Sequence, residues 1–214
     1  MKEKIKTALP VLLFMPVYLI WFRIIEYVPF KFCIRTDFAI DEVFPFIRYF
    51  IIPYVAWFCY IPAVGIYLLF KDTEEFKSFQ RLMIWGMVAF LLLNTFFPTA
   101  ISLRPTRVIG SGLCAELVKG LYSVDTSTNV FPSIHVYTTV VAFLCMSRTS
   151  SKAGENKLVR AMIGIMSVSI VLATIFLKQH SLLDVLFGFL MCLMMNGINN
   201  RMIDKSSSYI KKTA

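Results

Sequence analysis

Apolar stretches recur six times along this chain, at roughly 8–29, 50–70, 82–101, 132–147, 161–177 and 182–199. Most approach the ~20 residues a helix needs to cross a hydrocarbon layer about 30 Å thick. In lipid no water bonds the backbone, so a crossing segment must satisfy its own N–H and C=O groups, and a helix does this within one segment. Composition points the same way. The chain is 57% hydrophobic and 16% charged, against about 25% charged in a soluble domain. The expected architecture is all-α: a polytopic membrane protein with six transmembrane helices in one bundle, forming a single domain over 1–214. Loops are expected at 30–49, 71–81, 102–131, 148–160 and 178–181. The fourth and fifth stretches are short, so their ends are expected among neighbouring helices or in a polar cavity.

The opening MKEKIKTALPVLLFMPVYLIW has a basic start and an apolar run, as a signal sequence does. No small-x-small cleavage pattern follows it, so it reads as an uncleaved first span. Placing the N-terminus in the cytoplasm puts twice as many Lys and Arg on inner segments as on outer ones, with Lys205, Lys211 and Lys212 counted inside. That asymmetry favours both termini inside. The net charge of +9 is scattered over short loops and gives no nucleic-acid surface. The five cysteines show no C-x-x-C spacing; Cys33 and Cys114 both fall in outer loops, where a disulfide is open but not fixed by spacing.

Only two histidines occur, His135 in FPSIHVYTT and His180 in TIFLKQHSLLDVLFG. The first begins the fourth span and the second lies where the fifth meets the sixth, so both map to one membrane face, beside the long loop 102–131. Asp184 follows His180 by four residues, one helical turn, close enough for its carboxylate to reach an imidazole nitrogen. A carboxylate there fixes the tautomer and leaves the other nitrogen as nucleophile or base. A helix-end His beside a capping Asp gives the same spacing. Pro132-Ser133 marks a helix start, where free N–H groups and the positive dipole end suit a phosphate, although any helix start reads so. Arg104, in SLRPTR, offers a planar fork for phosphate oxygens, and Lys178 a second cation; snorkelling to lipid headgroups is the alternative. Asp125 and Asn129, in YSVDTSTNVFPS, are candidates for ordering the loop into the fourth span, or plain turn and cap residues.

Taken in order, R-P after the third span, P-S-x-H at the start of the fourth and H-x-x-x-D entering the sixth resemble the type 2 phosphatidic acid phosphatase superfamily. Its pattern is K-x6-R-P, P-S-G-H and S-R-x5-H-x3-D, and the resemblance covers about residues 85–190. Three departures stand out: Phe97 replaces the first-motif lysine, Ile134 the glycine, and Ala173-Thr174 the Ser-Arg pair. DTSTNVFPSIH and TIFLKQH look more like the branch containing inositol phosphorylceramide synthase and sphingomyelin synthase relatives.

The resemblance implies a membrane lipid phosphatase or phosphotransferase at the outer face, working through a phosphohistidine. His180 would be the nucleophile, Asp184 its partner and His135 the acid. Arg104, Ser133 and Lys178 would bind the phosphate, with Arg104 in the cavity wall. The implied substrate is a lipid phosphate among membrane lipids, with no metal or cofactor. Other readings are a lipid-phosphate binder or transporter on the same scaffold, supported by the missing cations, and a metal site at His135, His180 and Asp184, which lacks a fourth ligand.

Overall fold

The computed structural model describes residues 1–27, 29–108 and 110–213, with backbone alone from 205 onward; the Lys205, Lys211 and Lys212 side chains lie outside the described residues. The described residues are mostly helical, with two short strands. The first helix, α1, is Lys2–Ile25; α2 is Ile51–Lys71, entered through a 3-10 turn at Arg48–Phe50, and α3 is Thr73–Phe96. After these come α4 (Leu113–Val124), α5 (Ile134–Arg148), the single turn α6 (Lys152–Glu155), α7 (Lys157–Phe176) and α8 (Leu182–Thr213).

Among the described residues, five segments are long and apolar enough to cross a membrane: Lys2–Ile25, Arg48–Lys71, Thr73–Phe96, Lys157–Phe176 and Leu182–Asp204. The expected fourth span is not among them. It is the 15-residue α5, about 23 Å long at 1.5 Å per residue. Six spans are therefore not established. α5 is instead the central helix, packed on α3, α7 and α8, with most of its residues buried. Three expected loops also contain α-helix, the one at 148–160 carrying α6 and the first residues of α7. Only Asp72 separates α2 from α3, and the long loop 102–131 carries amphipathic α4, whose Ala115 and Val118 are buried.

Close contacts lock α5 in place. The Tyr137 ring lies over Gly86 of α3, where an added Cβ would come within 2.0 Å of it, and the Tyr137 hydroxyl donates to the Leu82 carbonyl at 2.6 Å. Gly188 of α8 lets the start of α5 approach: a Cβ there would sit 2.6 Å from the Ser133 carbonyl oxygen. At the end of the bundle away from the histidines, Asp72 caps α3 by accepting from the Glu75 N–H and also accepts from the Thr149 hydroxyl and the Ser150 N–H. One carboxylate thus joins the α2–α3 and α5–α6 connections.

The histidine end is ordered by a polar web. A short parallel pair, β1 (Ile34–Arg35) with β2 (Thr99–Ala100), ties the loop after α1 to the chain leaving α3. The Thr99 hydroxyl donates to Asn94 Oδ1 and accepts from the N–H groups of Val130 and Phe131, and Asn94 Nδ2 donates to the Phe131 carbonyl. These bonds fix the entry to α5. Cys33 and Cys114 are not joined; all five cysteines are free.

Candidate active site

Both histidines stand at the same end of the bundle. His180 lies in the tight turn between α7 and α8. Lys178 has a left-handed φ of 53°, and the Thr174 carbonyl accepts from the N–H groups of both Gln179 and His180. Ser181 and Asp184 cap α8 reciprocally: the Ser181 N–H donates to Asp184 Oδ2 at 2.8 Å and the Asp184 N–H to Ser181 Oγ at 3.1 Å. Capping thus accounts for Oδ2, but Oδ1 of this fully buried carboxylate has no partner, and neither has His180 Nδ1. The two orphans belong to residues one turn apart, with Asp184 Oδ2 already 3.7 Å from His180 Nδ1. Little movement separates this arrangement from a carboxylate–imidazole hydrogen bond.

The opposite side of the His180 ring faces His135: Nε2 is 3.4 Å from His135 Nδ1, and the ring centroids are 5.6 Å apart. α5 and α8 hold the pair in register through the Ser133 N–H, which donates to the Asp184 carbonyl at 2.9 Å. His135 packs between Tyr54 and Trp57 of α2, with centroids at 4.8 and 4.4 Å, and Trp57 Nε1 donates to Thr138 one turn further along α5.

A narrow cavity opens beside the two rings. Its polar side includes Asp125, Thr126, Asn129 and Gln179, and its apolar side Phe22 and Phe90, whose rings are 6.1 Å apart. Asp125 accepts a hydrogen bond from Tyr54. Burial pushes its pKa above the ordinary carboxylate value, although Arg104 and His180 pull the other way. Asn129, with φ 54°, donates from Nδ2 to the Ile25 carbonyl and Glu26 Oε1, joining the cavity wall to the end of α1. Glu26 also accepts from the Thr126 hydroxyl at 2.6 Å.

The structure therefore gathers His135, His180, Asp184, Asp125 and Asn129, but not the three expected phosphate ligands. Arg104 is not in the cavity wall. Its guanidinium donates to the backbone carbonyls of Asp125 and Thr126 and to Gln179 Oε1, and it lies over the Tyr122 ring. Lys178 turns away and donates to the Asp41 carbonyl at 2.6 Å. Ser133 is buried as the N-cap of α5, accepting from the Val136 N–H. Glu26, Tyr54, Trp57 and Gln179 were not singled out from sequence. Tyr54 and Trp57 share a helix face by their spacing of three, and Glu26 is an acid at the end of an apolar span. Those signals existed, but nothing in them pointed to His135 or Asn129.

Among the described residues, no three His, Cys, Asp or Glu side chains form a group able to hold a metal ion. Comparison with curated proteins and with solved structures gave no significant match. A family-level comparison matched residues 79–207, more than half of the chain, running from α3 through His135, His180 and Asp184 into α8. The chain belongs to the PAP2 superfamily, a family of phosphatase-type enzymes acting on phosphate esters, and several of its helices are long and apolar enough to cross a membrane.

Proposed function

We propose that the protein is an integral membrane lipid phosphatase or phosphotransferase that works through a phosphohistidine on His180. The observation that carries this reading is the different surroundings of the two edges of one buried imidazole. The Nδ1 edge meets Asp184, and Nε2 meets His135 at the cavity. Asp184 orients the ring and stabilises the positive charge that develops on attack. His180 Nε2 forms a bond to phosphorus while His135 gives a proton to the departing alcohol oxygen. Water or an acceptor hydroxyl then takes the phosphoryl group and returns a proton to His135.

An in-line approach needs about 3 Å from the attacking nitrogen to phosphorus and a hydrogen bond of about 3 Å to the leaving oxygen, so an occupied site holds the two nitrogens roughly 6 Å apart. At 3.4 Å the pair is closed, and substrate entry parts the rings. Phe22 and Phe90 on the cavity's apolar side favour a lipid entering laterally between α1 and α3. The basic asymmetry of the loops favours an outward-facing site with both termini cytoplasmic.

The test is purification in detergent and incubation with lipid phosphates carrying radioactive phosphorus. Wild-type protein is expected to capture acid-labile label and turn over. His180→Ala is expected to lose both together; retention of near-normal turnover in that variant would refute the proposal.

A further inference from the structure

A second hollow lies on the outside of the bundle, between α3 and α8, and shares no residue with the histidine cavity. It is a groove of about 350 Å³, within the ~300–1,000 Å³ range of small-molecule sites. Trp85, Ala89 and Leu92 of α3 line it with Ile198 and Met202 of α8, and no charged side chain does. Both helices are long and apolar enough to cross a membrane. A hollow on their outer surface is therefore a place for hydrocarbon rather than water.

Arg81 stands one turn before Trp85 on the same face of α3. Its Nε donates to Asn199 Oδ1 at 2.9 Å and its Nη2 to Ser78 Oγ at 3.2 Å. Asn199 is fully buried and directly follows Ile198, so the bond pins the guanidinium beside the groove. Both acceptors are neutral, and among the described residues Arg81 makes no ion pair. An arginine within a span is costly and calls for a counter-charge. Glu75 is within electrostatic reach, but it faces Arg148 as well as Arg81. Exposed Arg201 and Asp204, one turn apart on α8, add no net charge. Two guanidinium groups thus share one carboxylate, and a positive charge is left unmatched.

We propose that the α3–α8 groove holds an acyl chain of an anionic phospholipid whose phosphate lies against Arg81. Charge complementarity selects this occupant. An apolar groove beside a fixed, unmatched cation fits a molecule that is apolar along its length and anionic at one end. A zwitterionic lipid would bring its own cation to Arg81, and an apolar helix of another protein would cover the groove and leave the charge unmet. The 15 residues from Arg81 to Phe96, at the histidine end of α3, span about 22 Å. The lipid therefore sits in the leaflet opposite the histidines and is not the molecule that meets His180. It holds α3 against α8, the helix that carries Asp184, and its binding does not depend on the phosphohistidine reading.

Trp85 reports on the groove directly. With Trp21 and Trp57 replaced by Phe, it is the only tryptophan in the chain. The full chain is placed in phosphatidylcholine vesicles containing phosphatidylglycerol at a low, fixed mole fraction, with bromine on the acyl chains of one lipid or the other. Bromine quenches an indole only in near contact. Quenching by brominated phosphatidylglycerol, per mole of lipid, is expected to exceed that by brominated phosphatidylcholine about fivefold. The two should come near parity in Arg81→Gln, and the preference should return in part in Arg81→Lys. Equal quenching by the two lipids with Arg81 intact, or a preference that Arg81→Gln leaves unchanged, would overturn the proposal. If Arg81→Gln does not fold, Ala89→Phe, which fills the groove, takes its place, and an undiminished preference there would overturn the proposal. If the tryptophan replacements do not fold, retention of the same two lipids by the wild-type chain and the same variants in native mass spectrometry decides on the same outcomes.

Discussion

The two histidines differ in what stands behind them, and that difference separates their roles by experiment. His135 has aromatic rings at its faces and no carboxylate hydrogen-bonded to it, whereas His180 has Asp184 one turn away. If His135 only protonates the leaving group, His135→Ala should lose about 10²–10⁴-fold with an alkyl phosphate ester. A nitrophenyl ester, whose leaving group needs no proton, should recover much of that loss. Equal losses with both esters would mean His135 does something else. Asp184→Asn isolates electrostatics from structure, because an amide oxygen can still accept from the Ser181 N–H and keep the cap of α8. Turnover should fall by a comparable ~10²–10⁴-fold while the melting temperature changes little. A large fall in melting temperature with modest loss of turnover would make Asp184 a capping residue alone.

Helices α5 and α8 must meet closely at their N-terminal ends for the histidines to face each other, and Gly188 permits it. Gly188→Ala places a methyl group against the Ser133 carbonyl oxygen, an overpacking expected to cost about 1–3 kcal/mol. Because Ser133 also binds the Asp184 carbonyl, activity should fall further than stability does. Gly197, on the same helix, has no atom within 4 Å of an added Cβ; Gly197→Ala should leave activity intact and stabilise by up to about 1 kcal/mol. Thermal melts and turnover of the two variants, measured side by side, check this. At the other end of the bundle, burial tends to raise the Asp72 pKa, but hydrogen bonds from Glu75, Thr149 and Ser150 outweigh it and hold the group below its ordinary value. A carboxylate with a lowered folded pKa contributes stability above its unfolded pKa, about 3.9, and loses that contribution as pH falls through the folded value. The melting-temperature gap between wild type and Asp72→Ala should therefore be full at pH 7 and shrink below about pH 4. A gap independent of pH would show that packing, not the carboxylate, is what the variant removes.

Across the whole molecule, what the sequence revealed depended on distance along the chain. The apolar runs and the parity of span ends put His135 and His180 at one end of the bundle, and H-x-x-x-D spacing put Asp184 beside His180, because those are local periodicities. The fates of Arg104 and Lys178 were hidden. Their acceptors are the Asp125, Thr126 and Asp41 carbonyls, and the Asp41 carbonyl lies 137 positions from Lys178, so no pattern in the sequence names them. The same holds for Gln179, whose amide oxygen accepts from Arg104 75 positions away, and for α5, whose interior place in the bundle replaces the hydrophobic length it lacks. Orientation in the membrane is the global property on which access to substrate depends. The histidine end carries the loop 102–131, and the opposite end carries the Asp72–Ser150 junction. Ser111 and Ser150, one at each end, are both exposed. With the native cysteines replaced, a thiol at Ser111→Cys should react with an impermeant reagent added to intact cells, whereas a thiol at Ser150→Cys should react only after the membrane is opened. The basic asymmetry of the loops sets that expectation. The reverse pattern would turn the histidines towards the cytoplasm and confine the enzyme to phosphate esters of the inner leaflet.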